Sequence, residues 1–155
     1  MKTYHLSREI PAESGYDLVV AGGGPAGTAA AICAARRGAK VLLVEATGCL
    51  GGMGTSGLVT AFDPMADGEK MLVGGLMREI VETLHDRGWT APQVTPDWFR
   101  RRYHCWTPFN AEGLKILLDD LAATAGVLAS SVAVLAAAQA QRGRALFPGR
   151  FHVDP

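Results

Sequence analysis

The sequence predicts an α/β fold built on a parallel sheet, and three observations carry that expectation. Residues 17–21 (Asp-Leu-Val-Val-Ala) and 40–45 (Lys-Val-Leu-Leu-Val-Glu) are short apolar runs of strand length. Between them lies an alanine-rich segment of helical composition that ends at Gly38. The junction of the first strand with that helix is Gly22-Gly23-Gly24-Pro25-Ala26-Gly27, a GxGxxG.

The first run has a polar start and a continuous apolar stretch, the pattern of a strand buried in a parallel sheet. The helix is expected over residues 28–37, with Gly38 as its C-cap. The second run repeats the strand pattern, and together they form a βαβ unit from Tyr16 to Glu45 with a right-handed crossover. A glycine-rich loop follows at residues 47–57, then a polar surface stretch at 63–70. Leu76, Met77, Ile80, Val81 and Leu84 recur at helical spacing, with Arg78 and Glu82 at i,i+4 on the other face and Gly88 at the end. Residues 89–109 hold all three tryptophans, three prolines and the run Arg100-Arg101-Arg102. Leu114, Leu117, Leu118 and Leu121 mark a further amphipathic helix, with Asn110 as N-cap and Gly126 as C-cap. Beyond it, residues 127–135 read either as another strand or as the start of an alanine-rich helix reaching Gln141, and periodicity leaves both open.

Composition narrows the function classes. The chain has 155 residues, 48% of them hydrophobic, enough for one core and one domain. Its 15 basic side chains balance 15 acidic ones, which argues against nucleic acid or an anionic membrane as a partner. Cys33, Cys49 and Cys105 form no CxxC pair, so neither a disulfide framework nor a zinc ribbon is expected, no metal is expected, and the setting is reducing and cytoplasmic. The first sixteen residues lack the apolar core of a secretory signal. Residues 121–141 are uncharged, but alanine, serine, threonine and glutamine make them a poor membrane span.

The chemistry lies in the glycine motif and its context. Gly22 permits the tight turn, Gly24 lets the backbone approach a pyrophosphate, and Gly27 allows close packing of helix on strand. The N-terminus of the helix offers N–H groups and its positive dipole end to phosphates. Glu45 stands at the end of the second strand, eighteen positions after Gly27, where a carboxylate accepts ribose hydroxyls and repels a 2′-phosphate. The competing reading is a glycine turn that binds nothing. A second cluster, residues 50–57 (Leu-Gly-Gly-Met-Gly-Thr-Ser-Gly), leaves the same sheet edge, and its small residues and the hydroxyls of Thr55 and Ser56 suit an extended dinucleotide. Cys49 reads as a small buried thiol and Cys33 as helix packing. The stretch around residues 98–106, with His104 and Cys105, reads as packing over the sheet or the border of a substrate pocket.

Residues 16–27, 38–45, 50–53 and 55–58 together resemble the N-terminal part of an FAD-dependent oxidoreductase family, distantly similar to fumarate reductase flavoproteins and the glucose-inhibited division flavoproteins. Residues 74–76, 108–115 and 118–119 add to the likeness, which runs from about Ile10 to Val127. The resemblance implies a Rossmann-like FAD/NAD(P)-binding domain with FAD as cofactor. It implies that Gly22, Gly24, Ala26 and Gly27 line the pyrophosphate site, and that Glu45 holds the adenosine ribose with Ala46 beside it. Gly51, Gly52, Met53 and Thr55 would follow the ligand toward the flavin. The substrate would be a small molecule, and no residue is assigned as acid or base.

The domain expected on this reading spans residues 16–135, after an N-terminal extension at 1–15 and before an atypical tail at 136–155. No acidic residue occurs between Asp120 and Asp154, and the sequence there is unlike the family pattern, so a truncated or frame-shifted product is expected. Such a chain is an oxidoreductase, as an oligomer or with a C-terminal partner region, or else an inactive or partner-dependent nucleotide-binding fragment. An NAD-binding domain is a third reading, disfavoured by the second glycine loop.

Overall fold

The computed structural model describes residues 14–63, 65–94 and 106–130. Strand β1 (Leu18–Ala21), helix α1 (Pro25–Ala35) and strand β2 (Val41–Val44) form the expected βαβ unit. A single turn of 3₁₀ helix (Gly52–Gly54) and the short strand β3 (Ala61–Phe62) follow. Helix α2 (Gly75–Asp86), strand β4 (Thr107–Pro108), helix α3 (Ala111–Ala125) and strand β5 (Leu128–Ser130) complete the described elements.

The main sheet has the order β1-β2-β5. Both pairings are parallel, Leu18 lying opposite Val41 and Val44 opposite Ser130. The question left open at residues 127–135 is answered in part, since residues 128–130 are strand and residues 131–135 lie outside the described set. Strand β2 alternates as a central strand should, with Val41 and Leu43 buried and Leu42 and Val44 only partly covered. Val41 and Leu43 join Ala31, Ile32 and Ala35 of α1 and Leu117, Leu118 and Ala122 of α3 in one core. Burying a side chain such as Leu117, 1% exposed, stabilises by about 1.5–3 kcal/mol.

Strand β1 corrects the expectation of a buried strand: Leu18 and Val19 are 37% and 44% exposed. Among the described residues it pairs on one side alone, so an apolar composition suited to the middle of a sheet sits at an edge.

Helix α1 begins at Pro25, three residues before the expected start, because proline fits the first helical turn, where its missing N–H has no partner to lose. Its regular part ends at Ala35, and Gly38, at φ +89°, turns the chain back with its N–H on the Ala35 carbonyl. Cys33 is exposed rather than packed, since the buried stripe runs through Ala31, Ile32 and Ala35. Arg36 grips Glu79 of α2 through two hydrogen bonds of 2.6 and 2.7 Å, joining the helices at the surface.

Helix α2 buries Ile80 and Leu84, and Arg78 pairs with Glu82 at 2.7 Å on the outer face, as their spacing predicts. Helix α3 is capped as expected: the Asn110 side chain accepts from the Gly113 N–H at 3.0 Å, and Gly126 closes the helix in the left-handed conformation. Phe62 stacks on Phe109 with ring centroids 4.1 Å apart, which seats the β3–β4 pair against the core. No helix among the described residues is long and apolar enough to cross a membrane.

Candidate functional site

The glycine motif forms the turn between β1 and α1, and its glycines differ in what their missing side chains allow. Gly22 has φ +98°, in the left-handed region that disfavours L side chains, and its N–H donates to the Val44 carbonyl at 2.7 Å. A Cβ on Gly27 would stand 1.9 Å from the Gly22 carbonyl oxygen, so helix and turn approach as closely as the motif predicts. A Cβ on Gly24 would meet no heavy atom within 4 Å, leaving open space beside the N-terminus of α1. Gly24 is the N-cap of that helix and supplies no side chain to its first N–H groups. Ala26 is exposed and Gly27 half-buried in the first turn.

Three contacts hold the turn from below. Thr28, buried on α1, donates its hydroxyl to the Gly23 carbonyl at 2.7 Å. The Gly51 N–H donates to the same carbonyl at 2.8 Å. The Gly23 N–H donates to Glu45 Oε2.

Glu45, just past β2, is therefore tied back to the first turn. Its Oε1 accepts from the Thr47 N–H at 2.7 Å and from the Thr47 hydroxyl at 2.8 Å. The backbone N–H of Thr47 first, then its hydroxyl and the Gly23 N–H, hold the carboxyl below the usual carboxylate range. An ionised carboxylate has about four acceptor positions, and three are taken by the protein, so the group is oriented by its own chain. Ala46 beside it is exposed.

The second glycine cluster packs directly on the first. A Cβ on Gly52 would come 3.1 Å from the Gly24 Cα, which brings the two backbones into contact. Gly51 has φ +96° and no room for a side chain, since a Cβ would lie 2.7 Å from Thr55 Cγ2 and 2.8 Å from Leu118 Cδ1. Met53 is exposed at the surface of the loop. Thr55 corrects one expectation: its side chain is fully buried and its hydroxyl donates to the Leu50 carbonyl at 2.6 Å, so that hydroxyl latches the loop. Ser56 is exposed, its hydroxyl 3.1 Å from Cys49 Sγ.

Two recesses adjoin these loops. One, of about 160 Å³, lies at the carboxyl ends of β2 and β5, lined by Glu45, Thr47, Gly48, Cys49, Leu50, Asp119, Ala129 and Ser130. The other, of about 130 Å³, is apolar and lies between α1, α2 and α3, with Pro25, Gly51, Gly54, Phe62 and Leu76 in its wall. Among the described residues no group of three or more histidine, cysteine, aspartate or glutamate side chains could hold a metal. His104, Cys105 and residues 98–103 lie outside the described residues.

Sequence reasoning missed Thr28, Thr47 and Asp119. Thr47 had a legible signal, because a threonine two places after a carboxylate can fold back on it. Thr28 had none, since helical spacing alone does not tell which turn or loop a side chain meets, and Asp119 stood in the sequence within the family likeness at residues 118–119 but without a role.

The pattern of the FAD dependent oxidoreductase family matches residues 17–146. No curated protein matches the chain. Among solved structures, THI4 of Thermovibrio ammonificans is similar at 20% identity with a TM-score of 0.47, over 74% of this chain and 38% of that one. A geranylgeranyl bacteriochlorophyll reductase-like protein from Thermoplasma acidophilum is similar at 25% identity with a TM-score of 0.47, over 74% of this chain and 29% of that one. Aklavinone-11 hydroxylase, solved with FAD and aklavinone, is similar at 18% identity with a TM-score of 0.36, over 77% of this chain and 26% of that one. The chain thus spans less than two fifths of the length of each.

Proposed function

Because the chain belongs to the FAD dependent oxidoreductase family, whose cofactor is FAD, we propose that its described part is a Rossmann-like unit that binds FAD at the β1–α1 turn and serves electron or hydride transfer with a small-molecule substrate. One observation carries the reading: the open space beside Gly24 at an uncapped helix N-terminus adjoins a carboxylate, Glu45, already oriented by Gly23 and Thr47. This is the fit a dinucleotide needs, with room for a pyrophosphate at the turn and an anionic acceptor for ribose hydroxyls at the next strand end.

On this reading Gly22, Gly24, Ala26 and Gly27 hold the pyrophosphate. Glu45 takes the adenosine ribose, with Ala46 beside it, and disfavours a 2′-phosphate. The backbone of Gly51, Gly52 and Met53 carries the site onward, while Thr55 keeps that loop in shape. FAD, when bound, supplies the redox chemistry through its isoalloxazine. The chain's own part is to bind and orient the cofactor, in a domain spanning residues 16–135 of a cytoplasmic protein. Purified protein tests this: a flavin absorption spectrum whose released chromophore is FAD is expected, and colourless protein that added FAD does not reconstitute overturns it.

A second reading is a nucleotide-binding unit that turns over only with further protein. The exposure of Leu18 and Val19 on a strand paired on one side alone among the described residues favours it. Its signature is bound FAD that no small-molecule donor or acceptor reduces or reoxidises faster than it does free FAD.

A further inference from the structure

The recess at the carboxyl ends of β2 and β5 has a polar group that the ribose does not use. Glu45 is engaged by Gly23 and Thr47, and the Thr47 hydroxyl also contacts the Cys49 carbonyl at 3.1 Å. Asp120, the next residue on α3, is paired with Arg87 at 2.7 Å. The Asp119 side chain, by contrast, lines the recess from an exposed position on α3 and makes no hydrogen bond or ion pair with any described residue.

The rest of the wall leaves room for a flat group: the Leu50 side chain, Gly48 and Ala129 without bulk, and the Cys49 thiol, with Thr47 and Ser130 as further polar lining. FAD attaches its adenine directly to the ribose that Glu45 would hold, so the base has this recess beside it. An ionised carboxylate can only accept hydrogen bonds. Of the groups on the edge of adenine, the exocyclic amine is the one that only donates.

We infer that Asp119 accepts a hydrogen bond from the adenine amino group and so selects adenine over a purine that carries a carbonyl at the same position. The assignment rests on the FAD reading above. Partial burial first and then the neighbouring Asp120 raise the Asp119 carboxyl from its ordinary value, although the residue is exposed. A donor from the ligand would relieve part of that cost.

The test is a titration of the full chain with FAD and with flavin hypoxanthine dinucleotide, in which a carbonyl replaces the adenine amine, followed by flavin fluorescence. The wild-type chain is expected to bind FAD about tenfold more tightly, the yield of one hydrogen bond to a charged group. Asp119→Asn, whose amide can donate as well as accept, should bring the two ligands within about twofold and bind the hypoxanthine form better than wild type does. Asp119→Leu should lose about tenfold in FAD affinity and discriminate no longer. Equal wild-type affinities, or an unchanged preference in both variants, overturn the role of Asp119 and leave the FAD reading standing. A wild-type chain that binds neither dinucleotide overturns the FAD reading and this assignment together.

Discussion

The backbone N–H of Gly23 donates to the carboxylate of Glu45, so the turn after β1 and the residue after β2 are one hydrogen-bonded unit although 22 positions separate them. The parallel pairing of β1 with β2 makes this possible, because it sets Ala21 opposite Val44 and brings both strand ends to the same edge. Glu45 thus serves the shape of the turn as well as any ligand.

Replacing Glu45 separates those two roles. Glu45→Gln keeps one accepting oxygen, so either Gly23 or Thr47 faces an NH2 that cannot accept, and it removes the charge; FAD affinity should fall about tenfold, as expected for hydrogen bonds that lose a charged partner. Glu45→Ala frees the Gly23 N–H as well and should bind still more weakly. Flavin fluorescence titration beside far-UV circular dichroism checks both.

The acid limb of stability should show Glu45. Its carboxyl is held below its ordinary value by the Thr47 N–H, the Thr47 hydroxyl and the Gly23 N–H. A depressed pKa in the folded chain means a contribution that is fully present above the ordinary value of 4.5 and is lost as pH falls through the lower folded value. Thermal unfolding of wild type and Glu45→Gln between pH 7 and pH 3 should therefore show a gap that is constant at neutral pH and closes in acid. A gap that widens in acid contradicts the hydrogen-bond geometry.

Two glycines of one motif should respond in opposite ways. Gly27→Ala puts a methyl 1.9 Å from the Gly22 carbonyl oxygen, where only the backbone can yield. The cost should reach the upper end of overpacking, about 3 kcal/mol, and lower Tm by roughly 6–12 °C. Gly24→Ala meets no atom within 4 Å at an extended φ and ψ of −63° and 179°, so Tm should hold. FAD affinity should nevertheless drop by about tenfold or more, as the methyl occupies space a pyrophosphate would enter.

Thr28 is a buried brace of the turn. Thr28→Val keeps the shape and removes the donor to the Gly23 carbonyl, at a cost of about 1–2 kcal/mol. Thr28→Ser keeps the donor and should recover the hydrogen-bond part of that loss. Urea unfolding with an unchanged m-value measures the difference.

Sequence by itself determined the βαβ unit, its glycine turn, the acidic residue after β2 and the caps of α3. Each rests on local rules: an apolar run, a φ that glycine tolerates, a side chain that reaches an N–H three residues ahead. Tertiary structure alone decided what those pieces do to one another. That Thr55 turns inward while Gly52 touches Gly24, that β1 lies at an edge with Val19 exposed, and that Asp119 faces the recess beside Glu45 are all contacts between distant segments. Spacing along a helix or strand defines a face, but only the packing of α3 and the second glycine loop against the sheet decides which face meets the site. The details of a motif are local chemistry, whereas the placement of Asp119 at the recess depends on how α3 packs against the sheet.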